Sequence, residues 1–395
     1  MHSWQSQLLR IQKLIQTNEL VRAENELLAL NQEHANQPEL LFELARLYFL
    51  NRDHRQARAT LALGLKNAPR HPQGLLLKGM DALQQGKFRA AQKALLKSIK
   101  QNPTFHLPHY YLGIALARIG EPANAIEILE RATNLDRNHG LSFFELGTQY
   151  VVAGETEKAE RALTRSIRLN PNHAQSYLIL SQLLLRLNRL NEASELLTRA
   201  LRHNADDLLL IEAHIDLLLI LGRAESALNL CRQLVTSKPN YQTWLKLGLV
   251  AVAIGKSQDA VAAFSQAIDI EPDRWEAHYN LGEIFFAQGL YQLSRRHFEQ
   301  AIALTAKDYK PYNGLGLLML HLGQTGKETE ILLQKAQTLA PDRPEPLLNL
   351  ALLFAKQGRK KKANALISKL LEKQDVTPGL RGEAERLLAQ LHKRE

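Results

Sequence analysis

At 395 residues, with 45% apolar and 23% charged side chains, the chain has the composition of a folded soluble protein and not of a disordered one. A single cysteine, Cys231, excludes an intrachain disulfide and suits a reducing compartment. The formal net charge of +10 is uneven: residues 38–71 hold six basic against three acidic side chains, residues 72–105 six against one, residues 344–395 eleven against six, and the rest is near neutral.

The first stretch, MHSWQSQLLRIQKLI, sets Trp4, Leu8, Ile11 and Ile15 at helical spacing, but Arg10 and Lys13 interrupt it, so it lacks the apolar run of a signal peptide. Gln5, Gln7, Gln12 and Gln16 make this first helix more polar than later ones, as expected of an end unit whose outer face has no neighbour. Farther on, Lys93, Lys97 and Lys100 recur at i, i+4 and i+7, one stripe along a helix that starts with Lys87 and Arg89. Such a stripe is a solvated outer face or a docking patch for an acidic partner.

Residues 106–240 are charge-balanced. His106 and His109 have the spacing of paired ligands, yet no third His, Cys or acidic residue accompanies them, so no metal site is expected. The most apolar window, residues 208–221, is broken by Glu212, His214 and Asp216 and is too short to span a bilayer. The chain is therefore expected to be soluble and cytoplasmic.

Residues 241–273, YQTWLKLGLVAVAIGKSQDAVAAFSQAIDIEPD, display the organising unit. Trp244, Leu247, Gly248 and Ala251 share one face of a first helix, Gly255 breaks the run, Ala260, Phe264 and Ala267 line a second helix, and Pro272 ends it. The pattern recurs about every 34 residues, with starts near Trp4, Pro38, Pro72, His106, Gly140, Ala174, Leu208, Tyr241, Trp275, Tyr309 and Pro344. One residue is lost before Tyr241 and one gained inside the tenth copy. A small residue marks the second helix as Ala23, Ala57, Ala91, Ala125, Ala159, Ala193, Ala227, Ala260 and Ala363, nine of eleven copies. Cys231 falls where Leu163, Leu197 and Phe264 stand in sister copies, and is expected to be a buried filler instead of a nucleophile.

The period and the residues Trp244, Leu247, Gly248, Ala260, Phe264, Ala267 and Pro272 resemble the tetratricopeptide repeat family. The resemblance implies an all-α fold, an α-α superhelical solenoid of eleven hairpins over residues 1–377, closed by a capping helix over residues 378–395. That last helix carries Leu380, Ala384, Leu387, Leu388 and Leu391 on one stripe. Gly314 and Gly316 are then small residues inside a helix and no phosphate loop, since neither a strand nor GxxxxGK[ST] accompanies them. Arg359, Lys360, Lys361 and Lys362 follow the turn at Gly358 as a solvated run or a nucleic-acid or membrane contact.

No nucleophile with a base, no paired carboxylates in a recognisable setting and no metal cluster emerge, and no cofactor is expected. The function is expected to be non-enzymatic binding. In the family, first helices line a concave groove, and its exposed positions here would be Tyr110, Tyr111, Phe144, Lys246, Tyr279, Asn280, Lys310, Asn313 and Asn349, contacting a protein or peptide segment. The family's clamp for a C-terminal carboxylate is incomplete, because Leu245, Leu249 and Gly314 replace three of its positions. Nucleic-acid binding through the basic ends is the alternative; against it, the inner positions hold more Glu and Asp than Lys and Arg. Self-association is left open.

Overall fold

The computed structural model describes residues 4–35, 37–373 and 376–392. Residues 1–3, 36, 374–375 and 393–395 of the two expected domains lie outside the described residues. Among the described residues there are helices and no strand. The helices pair as α1 (Trp4–Gln16) with α2 (Leu20–Glu33), α3 (Pro38–Leu50) with α4 (His54–Asn67), α5 (Pro72–Gln84) with α6 (Phe88–Gln101), and α7 (His106–Ile119) with α8 (Pro122–Leu135). Next come α9 (Gly140–Ala153) with α10 (Thr156–Leu169) and α11 (Ala174–Arg186) with α12 (Leu190–His203), followed in the chain by α13 (Leu208–Ile220) and α14 (Ala224–Ser237). The series ends with α15 (Tyr241–Ala253) and α16 (Ser257–Ile270), α17 (Trp275–Ala287) and α18 (Tyr291–Leu304), α19 (Lys310–His321) and α20 (Lys327–Leu339), α21 (Pro344–Lys356) and α22 (Lys360–Leu371), and α23 (Pro378–His392). The expected starts coincide with helix starts except at α19, where the Asp308 carboxylate accepts from the Lys310 amide at 2.9 Å and the helix begins one residue late. Packing divides the chain into two compact units, Met1–Leu217 and Leu218–Glu395, the division falling inside α13.

The hairpins that carry Gly79, Gly113, Gly147, Gly248, Gly282 or Gly316 in the first helix each close by one tight crossing. At Gly248 a Cβ atom would lie 2.5 Å from the Phe264 ring, and at Gly113 one would lie 2.4 Å from Leu129. The large side chains opposite are fully buried. A small residue on one helix is thus the hole for a large residue on the other, which lets the two backbones approach. The two copies that lack alanine in the second helix carry Ser294 and Thr329 there, both fully buried. Their hydroxyls donate to the carbonyls of Gly282 at 2.8 Å and Gln324 at 2.7 Å, so neither leaves a polar atom unsatisfied.

The turn inside each hairpin needs a left-handed residue. Glycine serves at most copies, as at Gly255 (φ 76), and Asn18 and Asn188 serve at two. In the second copy Arg52 adopts φ 62, a substitution that residue type does not announce. At α15 a reciprocal cap forms: Asn240 Oδ1 accepts from the Thr243 amide at 3.0 Å, and Thr243 Oγ1 accepts from the Asn240 amide at 3.1 Å.

The helix α23 packs over the last hairpin. Ala384, Leu387 and Leu391 join one apolar cluster with Leu350, Phe354, Ile367 and Leu370. Arg381 also donates to the Leu371 and Lys373 carbonyls at 3.2 and 2.9 Å, satisfying orphan acceptors at the end of α22. Cys231 is fully buried, as a filler should be. Among the described residues, no helix is long and apolar enough to cross a membrane.

Gly248→Leu is expected to lower stability by about 1–3 kcal/mol through overpacking against Phe264; an unchanged melting temperature would contradict the crossing. A second expectation concerns His278 on α17 and His297 on α18, whose Nδ1 atoms lie 3.1 Å apart. Burial lowers both pKa values from 6.5, and His297, further opposed by His278 and Arg296, is pushed down to about 4. The unfolded chain then binds protons the folded chain refuses, so stability is full above about pH 6.5 and falls as pH drops from there toward 4. Melting curves across that range should show a smaller acid loss in His297→Gln than in the parent chain, and equal losses would refute the linkage.

Candidate binding surface

Within each unit, successive first helices touch one another: α3 with α5, α5 with α7, α7 with α9 and α9 with α11 in one, and α17 with α19, α19 with α21 and α21 with α23 in the other. Among the described residues, no comparable contact joins successive second helices. First helices therefore converge on an inner wall, and second helices splay on the outer side. The nine expected groove residues all sit on first helices, three in the first unit and six in the second.

In the first unit, Tyr110 on α7 is buried, stacked edge-on against Tyr111 at 4.8 Å and His139 at 4.9 Å. Phe144 on α9 meets His173 edge-on at 4.7 Å. These two histidines were missed by motif reasoning. Each ends a repeat, and each Nδ1 bonds the hydroxyl three residues on, Ser142 at 2.7 Å and Ser176 at 2.8 Å. Their 34-residue separation, 139 to 173, is the signal that could have revealed them. The inner wall here is largely aromatic and already stacked. Glu145 lies on it with its carboxyl pKa raised by burial, a shift that Arg118 partly offsets.

In the second unit the wall is more polar. Lys246 on α15 is half-buried and engaged. Tyr279 on α17 is half-buried, its ring 6.1 Å from Trp275 and 6.0 Å from Phe298. Asn280 donates to the Glu276 carbonyl of its own helix at 2.7 Å. Lys310 is exposed at the start of α19. Asn349 on α21, expected to be exposed, is 9% accessible and donates to Asn313 Oδ1 at 2.9 Å, tying two successive first helices together. Tyr110 and Asn349 are thus built into the wall, because neighbouring first helices close over them.

Charge on this wall leans negative around Tyr279. Burial raises its hydroxyl pKa first, and Glu283, Tyr309, Asp308 and Glu345 raise it further. Glu283 is open to water, yet enough protein surrounds its carboxyl to raise that pKa as well, as at the floor of a concave wall.

On the outer side, Lys93, Lys97 and Lys100 of α6 are exposed. The Arg359–Lys362 run is partly committed: Arg359 pairs with Glu330 at 2.8 Å and covers the Phe354 ring at 4.2 Å, and Lys362 lies 5.5 Å from the same ring. His106 and His109 have the spacing of ligands in the sequence. His109 Nδ1 meets the Phe105 carbonyl at 3.0 Å, and among the described residues no three His, Cys, Asp or Glu side chains converge as metal ligands.

Comparison with known proteins agrees with the repeat fold. Tetratricopeptide repeat family models match residues 76–139 and 245–311, and residues 152–213. Human tetratricopeptide repeat protein 7B is 29% identical over 96 residues, which is 24% of this chain and 11% of that protein's length. The structure of yeast Tom70 superposes with a TM-score of 0.51 over 99% of this chain and 97% of that chain at 14% identity, a likeness of fold.

Asn349→Ala is expected to lower stability by about 1 kcal/mol through the lost bond to Asn313. Asn280→Ala, which frees only an intrahelical carbonyl, is expected to leave the melting temperature nearly unchanged; equal losses would mean that the two amides share one role.

Proposed function

The chain belongs to the tetratricopeptide repeat family, and on that premise we propose that it is a non-enzymatic scaffold or adaptor that binds an extended or helical segment of a protein partner on the inner wall of its solenoid. The observation that carries this reading is the polar inner wall of the second unit, where Asn280 and Lys310 take no part in the crossings that close the hairpins. Tyr279 offers a rigid amphipathic face, Asn280 an amide suited to a partner's backbone, and Lys310 a free-reaching cation. The buried, solitary Cys231 favours a reducing, cytoplasmic setting.

A second reading, nucleic-acid binding, has the exposed stripe of Lys93, Lys97 and Lys100 in its favour. It is weakened by the commitment of Arg359 to Glu330 and Phe354. The two readings separate in one experiment, capture of partners from the source lysate on the immobilised full-length chain. The double change Asn280→Ala with Lys310→Ala is expected to weaken capture by about fivefold, the effect of losing roughly 1 kcal/mol, with the melting temperature nearly unchanged. Replacing Lys93, Lys97 and Lys100 by Gln is expected to leave capture intact. Full capture by the first variant and loss by the second would move the interface to the outer face.

A further inference from the structure

The basic excess of residues 38–105 is gathered on the outer faces of two successive second helices, α4 and α6. Seven register positions are exposed on both helices, from Arg55 to Asn67 on α4 and, 34 residues on, from Arg89 to Gln101 on α6. Together they hold six basic side chains, Arg55 and Lys66 on α4 and Arg89, Lys93, Lys97 and Lys100 on α6, and no acidic one. In every other copy the same seven positions include an Asp or Glu, as with Glu33, Glu127, Glu157 and Glu299. Both helices pack on α5 within one compact unit.

The acidic groups at the borders of this face are already engaged. Asp81 pairs with Arg58 at 2.9 Å, Glu121 pairs with Arg89 at 2.9 Å, and Asp53 caps α4 by accepting from the Gln56 amide at 3.0 Å. Among the described residues, no ion pair takes up Arg55, Lys66, Lys93, Lys97 or Lys100. Apolar side chains stand among these cations. Leu96, 49% exposed, lies on the stripe of Lys93, Lys97 and Lys100, and Leu63 is 43% exposed on α4. A nucleic-acid strand would use the cations but not the leucines, and none of the seven positions holds an aromatic ring on which a base could stack. A carboxylate-bearing protein segment is matched best by the planar fork of arginine, whereas four of the five free cations are lysines. An anionic lipid surface uses both kinds of group. Flexible lysine stems lie beside the leucines while their ammonium groups reach the headgroup phosphates.

We propose that the outer faces of α4 and α6 dock peripherally on an anionic phospholipid surface, with Leu63 and Leu96 entering the boundary beneath the headgroups. This surface is separate from the inner wall, and its role does not depend on a protein partner being bound there. Attraction over several exposed cations without a deep apolar insertion makes the docking reversible and sensitive to salt.

The test is flotation of the full-length chain with vesicles of phosphatidylcholine alone or of phosphatidylcholine with an equal part of phosphatidylglycerol. Association with the anionic vesicles only is expected, and it should fade as salt is raised. Each lysine near such a surface contributes about fivefold, so replacing Lys93, Lys97 and Lys100 by Gln should lower the lipid partition about a hundredfold. The melting temperature should not change, because all three side chains are exposed. Lys327→Gln with Lys335→Gln and Lys369→Gln removes the same charge from exposed positions of α20 and α22 and should leave binding close to that of the parent. Leu63→Gln with Leu96→Gln should weaken it about tenfold. Equal binding to both kinds of vesicle, no binding to either, or equal loss in the two triple variants overturns the proposal. So does an oligonucleotide or an acidic peptide that displaces the vesicles while binding the leucine variant as tightly as the parent, since the face would then serve that polyanion instead.

Discussion

The fold depends on the close crossing of two helices inside a hairpin, seen most tightly where the first helix carries glycine. Gly248 against Phe264 and Gly113 against Leu129 leave no room for even a methyl group, so the two helices meet at backbone distance. That proximity leaves the rest of each helix surface to contact the next hairpin, and it is why a hairpin has no complete core of its own. The array therefore builds a series of local apolar clusters, such as the one joining Leu350, Phe354 and Ile367 to Leu387. Where a copy departs from the small-residue rule, as at Ser294 and Thr329, the extra hydroxyl finds a backbone carbonyl nearby. The constraint is thus one of volume and satisfied polarity, not of a particular residue.

The same geometry creates the inner wall as a by-product. First helices that touch across repeats must curve inward, which sets their remaining side chains on a shared wall. Side chains there are surrounded by protein while still reaching water. Glu283 and Tyr279 show the electrostatic consequence, since burial disfavours ionisation of both. The wall of the first unit has used much of its aromatic surface on internal stacking, Tyr110 on His139 and Phe144 on His173. The wall of the second unit is more polar, with Lys310 exposed and Glu283 open to water.

Residue type and spacing alone determined the helical hairpins, their starts and the repeat register, because those depend on short-range rules. Only Gly or a small residue fits a close crossing, Gly or Asn suits a left-handed turn, and proline or a polar break ends a helix. Even Cys231 was legible, since its place in the register is that of a buried side chain. Where several residue types can serve, the pattern is silent, as at Arg52, which holds a left-handed turn without being glycine. What only the tertiary structure decided is how each inner position is used. Asn313 and Asn349 look alike in sequence to Asn280, yet the first pair bridges two helices and the last bonds only its own. Those outcomes turn on distances between repeats, set by many packed side chains at once, which no single position in the sequence records.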